Sequence, residues 1–212
     1  MFEFTKEEIR DLIIAFIVLS FCFAISNVGI DAYGIISILP VVMFGVGIGF
    51  LLHELGHKYV AEKYGYHSEF KLWPLGLLIS FVTAFIGFVF AFPGEASIDS
   101  DNIPDEINGK ISIAGPMANM VLGLLFIVLA ALIYPLKFYS GSFNLLFLIF
   151  TVGFSVNSFL ALFNLLPLYT LDGTKVFKWN PGYGIIAIVI SAIMMLASIT
   201  IGAENMVMML VG

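Results

Sequence analysis

A chain of 212 residues that is 60% hydrophobic and only 11% charged is not an ordinary globular protein, in which roughly 25% of residues are charged. At about 20 apolar residues per membrane helix, it has room for about five or six spans and no large soluble domain. Its net charge of −6, with no basic patch, excludes nucleic acid as a partner, and its single cysteine, Cys22, excludes an intrachain disulfide or a Cys-based zinc framework.

The charged residues Glu3, Lys6, Glu7, Glu8, Arg10 and Asp11 lead into a first predicted span at about residues 12–28. That run is too long for a signal-peptide core and has no small-residue cleavage site, so a retained anchor is expected. A second span at about residues 33–64 follows a turn marked by Gly29 and Asp31. Its glycines 45, 47 and 49 are read as lying on different helix faces, so that more than one neighbour can approach closely. Residues 73–92 are apolar but interrupted by Pro74, Gly76, Thr83 and Gly87, with β-branched and aromatic residues dominant. Residues 93–108 are acidic, contain two prolines and read as a loop. Further spans are predicted at about residues 111–134, 143–166 and 183–211, with a basic pair, Lys175 and Lys178, before the last.

Near the end of the second span stands His53-Glu54-Leu55-Gly56-His57. Histidines four apart on a helix share one face. They can hold one Zn²⁺, and Glu54 is well placed to take a proton from water at the metal. Ionisable groups inside an apolar span cost about 2.5–3.5 kcal/mol each on insertion scales and are functional by default. Two histidines leave a catalytic zinc site short of its usual third protein ligand. His67 lies in a polar stretch and reads as a solvated loop residue; Asp31, Glu204 and Asp172 are the carboxylates nearest to apolar sequence. Asp172 lies between Pro167 and Gly173, where the backbone can leave a helix and aim a carboxylate sideways. Asn119, Asn157 and Asn164 are amides in apolar runs and need partners. Asn164 can donate to a substrate carbonyl as charge develops on it.

Parity settles how residues 73–92 are read. With the N-terminus inside, a spanning segment leaves six of the nine Lys and Arg residues inside, whereas a re-entrant one leaves eight inside and only Lys137 outside. The positive-inside rule selects the second. The same choice brings Asp172 to the side of the membrane at which the histidines sit. Two passes of about 9–11 residues suit a β-hairpin packed on protein or in the interface. The expected architecture is an all-α polytopic membrane protein: about five transmembrane helices plus a re-entrant, membrane-associated β-hairpin at residues 73–92, in one membrane-embedded domain over residues 1–212.

The set His53-Glu54-Leu55-Gly56-His57, then Gly115-Pro116-x-x-Asn119, then Asn164-x-x-Pro167-x-x-x-Leu171-Asp172-Gly173 resembles the site-2 protease family of intramembrane zinc metalloproteases. The match covers roughly residues 41–173. The resemblance implies one Zn²⁺ per chain held by His53, His57 and Asp172, with Glu54 as general base. It implies that Asn164, and more weakly Asn119, contacts the scissile peptide or its oxyanion. It also implies a transmembrane protein as substrate, the lipid bilayer as setting and a prokaryotic plasma membrane; the count of Lys and Arg puts the site toward the cytoplasm. Many relatives carry a PDZ domain between the two halves; residues 93–108 are too few for one, so substrate control through a PDZ domain does not carry over. The alternative is a membrane metal or proton transporter that uses the same His/Glu/Asp cluster as a relay, although no internal repeat supports it. Water is expected to enter on the side of Lys58, Lys63 and Lys71, and an exposed hairpin edge could hold an unwound substrate by strand addition.

Overall fold

A computed structural model describes residues 3–98, 102–168 and 171–212. Among the described residues five helices are long and apolar enough to cross a membrane: α1 (Lys6–Val28), α2 (Ala32–Lys63), α4 (Asp105–Ile133, continued by a 3₁₀ turn to Leu136), α5 (Gly141–Asn164) and α7 (Pro181–Thr200). Shorter elements complete the chain: β1 (Ser68–Leu72), α3 (Pro74–Ala84), β2 (Gly94–Ile98), α6 (Asp172–Trp179) and α8 (Ala203–Val211). The helix starts follow local chemistry. Thr5 accepts from Glu8 N at the start of α1, with Glu7 and Glu8 in its first turn. Asp31 accepts from Tyr33 N and Gly34 N at the start of α2. Such caps satisfy amides that a helix start leaves open. The last predicted span is divided: α7 ends at Thr200, Gly202 takes positive φ, and α8 begins at Ala203.

A two-stranded antiparallel sheet is present, but its strands flank residues 73–92 instead of lying within them. β1 pairs with β2 from Ser68↔Ile98 to Leu72↔Gly94. Between them the chain forms α3 and an extended return stretch. The high β-propensity of this segment is overridden because a helix in an apolar setting satisfies its own amides, and Pro74 starts one. Ser80 Oγ donates to Phe90 O and Phe90 N donates to Thr83 Oγ1, which fasten the return stretch against the helix. Since Leu72 and Gly94 are paired, the chain comes back to the point at which it left. At 1.5 Å per residue α3 is about 16 Å long, half of a hydrocarbon core of about 30 Å. The expected acidic loop is likewise shorter: Gly94–Ile98 is strand and α4 already begins at Asp105, while Asp99 and Asp101 lie outside the described residues.

The core has two main parts. One packs α1, α2 and the sheet around Leu19, Val46, Phe50 and Phe70; the other packs α4, α5, α7 and α8 around Phe126, Phe147, Met194 and Val207. The glycines of α2 serve both, with one correction. Gly45 and Gly49 share a face toward α5, where an added Cβ would meet Gly153 and Asn157, and only Gly47 turns elsewhere, against Phe16 of α1. Spacings of four, not two, set the face of a helix.

Candidate metal centre

His53 lies about 32 Å along α2 from its first residue at 1.5 Å per residue, one hydrocarbon thickness from the start. The two histidines therefore lie toward the C-terminal end of α2, which closes at Lys63. Asp172 arrives there as the first residue of α6, just after α5 ends at Asn164. Gly173 permits this approach: a Cβ there would collide with the carbonyl oxygens of Leu165 and Leu166. Nε2 of His53 and Nε2 of His57 are 3.0 Å apart, and each lies 3.2 Å from Oδ2 of Asp172. All three side chains are buried or nearly so.

The hydrogen bonds behind the rings identify what belongs between them. Nδ1 of His57 donates to Ile111 O at 2.8 Å, and Nδ1 of His53 pairs with Oδ1 of Asn119 at 2.7 Å. The Asn119 orientation is set by its own Nδ2, which donates to Gly49 O at 3.0 Å and to Asn157 Oδ1 at 2.9 Å. Both Nδ1 atoms therefore carry a proton, and a neutral ring then presents a bare lone pair at Nε2. Two lone pairs and a carboxylate oxygen converge on one point. A single proton bridges one of these contacts; a divalent cation satisfies all three. Tetrahedral bonds of about 2.0–2.1 Å set ligand separations of about 3.3–3.4 Å, a few tenths of an ångström from those found. Gly115 gives a second indication, since a Cβ there would meet Nε2 of both histidines. The space in front of the rings is kept clear of side chains. His53, His57 and Asp172 could thus hold a metal ion.

The other predicted residues divide clearly. Glu54 lines the cavity in front of the ligands, and its Oε2 is buried without a hydrogen-bond partner among the described residues. Asn164 also lines that cavity and keeps one amide bond, to Leu160 O at 3.0 Å. Asn119 does not. It is fully buried behind His53, and its carboxamide is engaged by His53, Gly49 and Asn157, so it orients a ligand and has no access to substrate. Asn157 extends this chain of amides to Gly45 O and Gly153 O. Partners that orient a ligand histidine typically affect metal affinity 10–100-fold. Asn119→Leu is expected to weaken zinc binding by about that factor, measurable by competition with a chromogenic chelator.

His67 is half-exposed beside Glu69, while Asp31 caps the opposite end of α2 and Glu204 is exposed on α8. None of these three reaches the centre. Lys58 departs from expectation: it is buried in an ion pair with Glu8 and does not mark a water-filled opening. Sequence reasoning missed Ile111 O as the support of His57, and Lys175 as a cation lining the cavity. The spacing Asp172 to Lys175, one helical turn, was a usable signal for the latter. The cavity itself is about 40 Å³, room for a few waters.

Comparison with known proteins agrees with this geometry. The profile of peptidase family M50 matches residues 41–144. The chain is 42% identical over 182 residues to the "Putative zinc metalloprotease MJ0611" of Methanocaldococcus jannaschii, covering 85% of this chain and 88% of that one. It is 31% identical over 153 residues to the "Putative zinc metalloprotease YwhC" of Bacillus subtilis, covering 68% and 70%. It is 29% identical over 143 residues to the "Zinc metalloprotease MJ0392" of M. jannaschii, covering 67% of this chain and 34% of that longer one. No solved structure matches the chain.

Proposed function

The chain belongs to peptidase family M50 and is a zinc-dependent protease of the membrane, and from that premise we propose that it hydrolyses a peptide bond in or near a transmembrane segment of a membrane-protein substrate. The observation that carries this reading is the convergence of two bare imidazole nitrogens and a carboxylate near the C-terminal end of a long apolar helix, beside Glu54, whose Oε2 has no hydrogen-bond partner among the described residues.

His53, His57 and Asp172 would hold one zinc ion. When bound, zinc supplies Lewis acidity, lowering the pKa of water toward about 7 and polarising a carbonyl. Glu54 takes the proton from the attacking water and returns it to the leaving amine. Asn164, with an amide hydrogen to spare, donates to the carbonyl oxygen as it gains charge. Asn119 and Ile111 O keep the two imidazoles in the tautomer that ligation requires. The substrate must be unwound at the site, because a helical segment keeps its carbonyls in internal bonds. The outer edge of β2, unpaired among the described residues, lines the same cavity and suits an extended chain.

Eight of the nine Lys and Arg residues belong to segments at the metal-bearing end of the bundle, and Lys137 alone to the other. This distribution supports a site on the cytoplasmic side of a prokaryotic plasma membrane. A relay for metal or protons across the membrane would need polar groups along its whole length. Deeper in the bundle, Thr151 and Ser191 bond to carbonyls of their own helices, among Phe126, Phe147 and Met194. The proposal is tested by incubating purified protein with single-span membrane substrates, with and without a chelator. Cleavage should vanish on chelation and return with zinc; cleavage indifferent to the chelator would overturn it.

A further inference from the structure

A second hollow lies between α2 and α4, on the side of α2 turned away from the metal centre. Leu55 and Gly56 of the histidine motif face it, while His53 and His57 face the cavity described above. Its volume is about 600 Å³, within the roughly 300–1,000 Å³ of ligand sites. Small residues open it. An added Cβ at Gly56 would come within 3.0 Å of Ala114 O, and Ala114 and Ala118 add little bulk on α4. Larger, exposed side chains stand around them, among them Leu52, Tyr59, Val121 and Leu125. Among the described residues that line the hollow, only Tyr59 carries a hydroxyl, and none carries a charge.

Both walls lead to a lysine at the same end. Gly56, Tyr59, Val60 and Lys63 share one face of α2, and Lys110, Ala114, Ala118, Val121 and Leu125 share one face of α4. The two ends meet, since Lys110 Nζ lies 5.6 Å from the ring centroid of Tyr64, the residue after Lys63. Lys63 is exposed and has no ion-pair partner among the described residues, because the neighbouring Glu62 turns toward Lys58. Lys110 pairs with Glu106 at 2.6 Å, but that carboxylate is 65% exposed. A surface pair of this kind contributes little and can be exchanged for another anion. From Lys110 to Leu125 the distance is about 22 Å at 1.5 Å per residue, half of a bilayer of about 40–45 Å with its headgroup layers. The hollow thus has the length of one leaflet.

We infer that the α2–α4 hollow binds an anionic phospholipid, with one acyl chain along Gly56, Ala114 and Ala118 and the phosphate at Lys63 and Lys110. Charge and length both select this occupant. The lysines stand at one end only, as basic groups that recognise anionic headgroups do between membrane helices. The apolar lining then continues for one leaflet, whereas a helix crossing the membrane would need a surface about twice as long. Tyr59, with an apolar ring and a polar tip, fits the level between chain and headgroup. The bound chain covers the back of the α2–α4 contact, whose front carries Ile111 O and Asn119, the supports of the two histidines. The site is separate from the metal-centre cavity and does not depend on the protease reading.

The test is native mass spectrometry of the full chain, released from detergent micelles that contain equal amounts of phosphatidylglycerol and phosphatidylcholine with the same acyl chains. The wild-type chain should retain one phosphatidylglycerol, preferred by at least about fivefold, the scale of one lysine at an anionic surface. Lys63→Gln together with Lys110→Gln should bring that preference to about one. Ala118→Leu fills the hollow and keeps both lysines, and it should abolish retention of the lipid. Zinc content should stay constant in both variants. Equal retention of the two lipids by the wild-type chain would overturn the site, as would a preference that survives either variant. A dimer that Ala118→Leu dissociates while the lipid stays bound would also overturn it, because the hollow would then hold a second copy of the chain.

Discussion

Glu54→Gln is expected to keep one zinc per chain and to lose cleavage by about 10²–10⁴-fold, the usual contribution of a general acid–base group. Glu54 lies between the two ligand histidines in sequence but takes no part in their triangle, which His53, His57 and Asp172 complete among themselves. Its Oε2 has no hydrogen-bond partner among the described residues. Glutamine has the same shape and removes only the ability to accept a proton, so the ligands should stay where they are. Zinc content and single-turnover cleavage, measured on the same sample, separate the two effects. A variant that still cleaves at the wild-type rate would show that the proton goes elsewhere.

Gly115→Ala is expected to empty the metal centre. The added methyl would lie against Nε2 of both histidines, 2.7 Å from that of His53 and nearer still to that of His57, in the space the ion needs. Gly115 is inside α4, where alanine is favoured over glycine by roughly 1 kcal/mol. Helical content should therefore hold while zinc stoichiometry falls toward zero and cleavage disappears. Gly123→Ala, on the same helix, is the control: its Cβ meets first the flexible end of Met194 at 3.0 Å. If Gly115→Ala bound zinc normally, the imidazoles would have to move aside, and the converging lone pairs would lose their significance.

Much of this was legible in the sequence because it is local or set by composition. Apolar runs near membrane thickness yield helices, and the four-residue spacing of His53 and His57 yields a pair on one face. The parity of charges also argued for a return of residues 73–92 to their own side, and the pairing of Leu72 with Gly94 brings the two ends of that segment together. It did not give their conformation. β-branched and aromatic content argued for strands, but such propensity depends on what the backbone can pair with. In that apolar dip a helix served, and the strands formed on either side of it.

What the sequence by itself determined, then, is the class of molecule and its run of long apolar helices, short of the break at Gly202, together with the expectation of metal chemistry at His53, Glu54, His57 and Asp172. What only the tertiary structure decided is where each neighbouring polar group turns. Asn119 went behind His53 and not into the cavity, Lys58 went inward to Glu8 and not out to water, and Lys175 joined the cavity wall. The reason is one of range. Helix periodicity and hydrophobic length are properties of a few adjacent residues. The partner of a buried amide or ammonium lies on another helix, 50 residues away for Lys58 and 66 for Asn119. In an apolar interior each such group must find that partner, and which one it finds depends on how the helices come together.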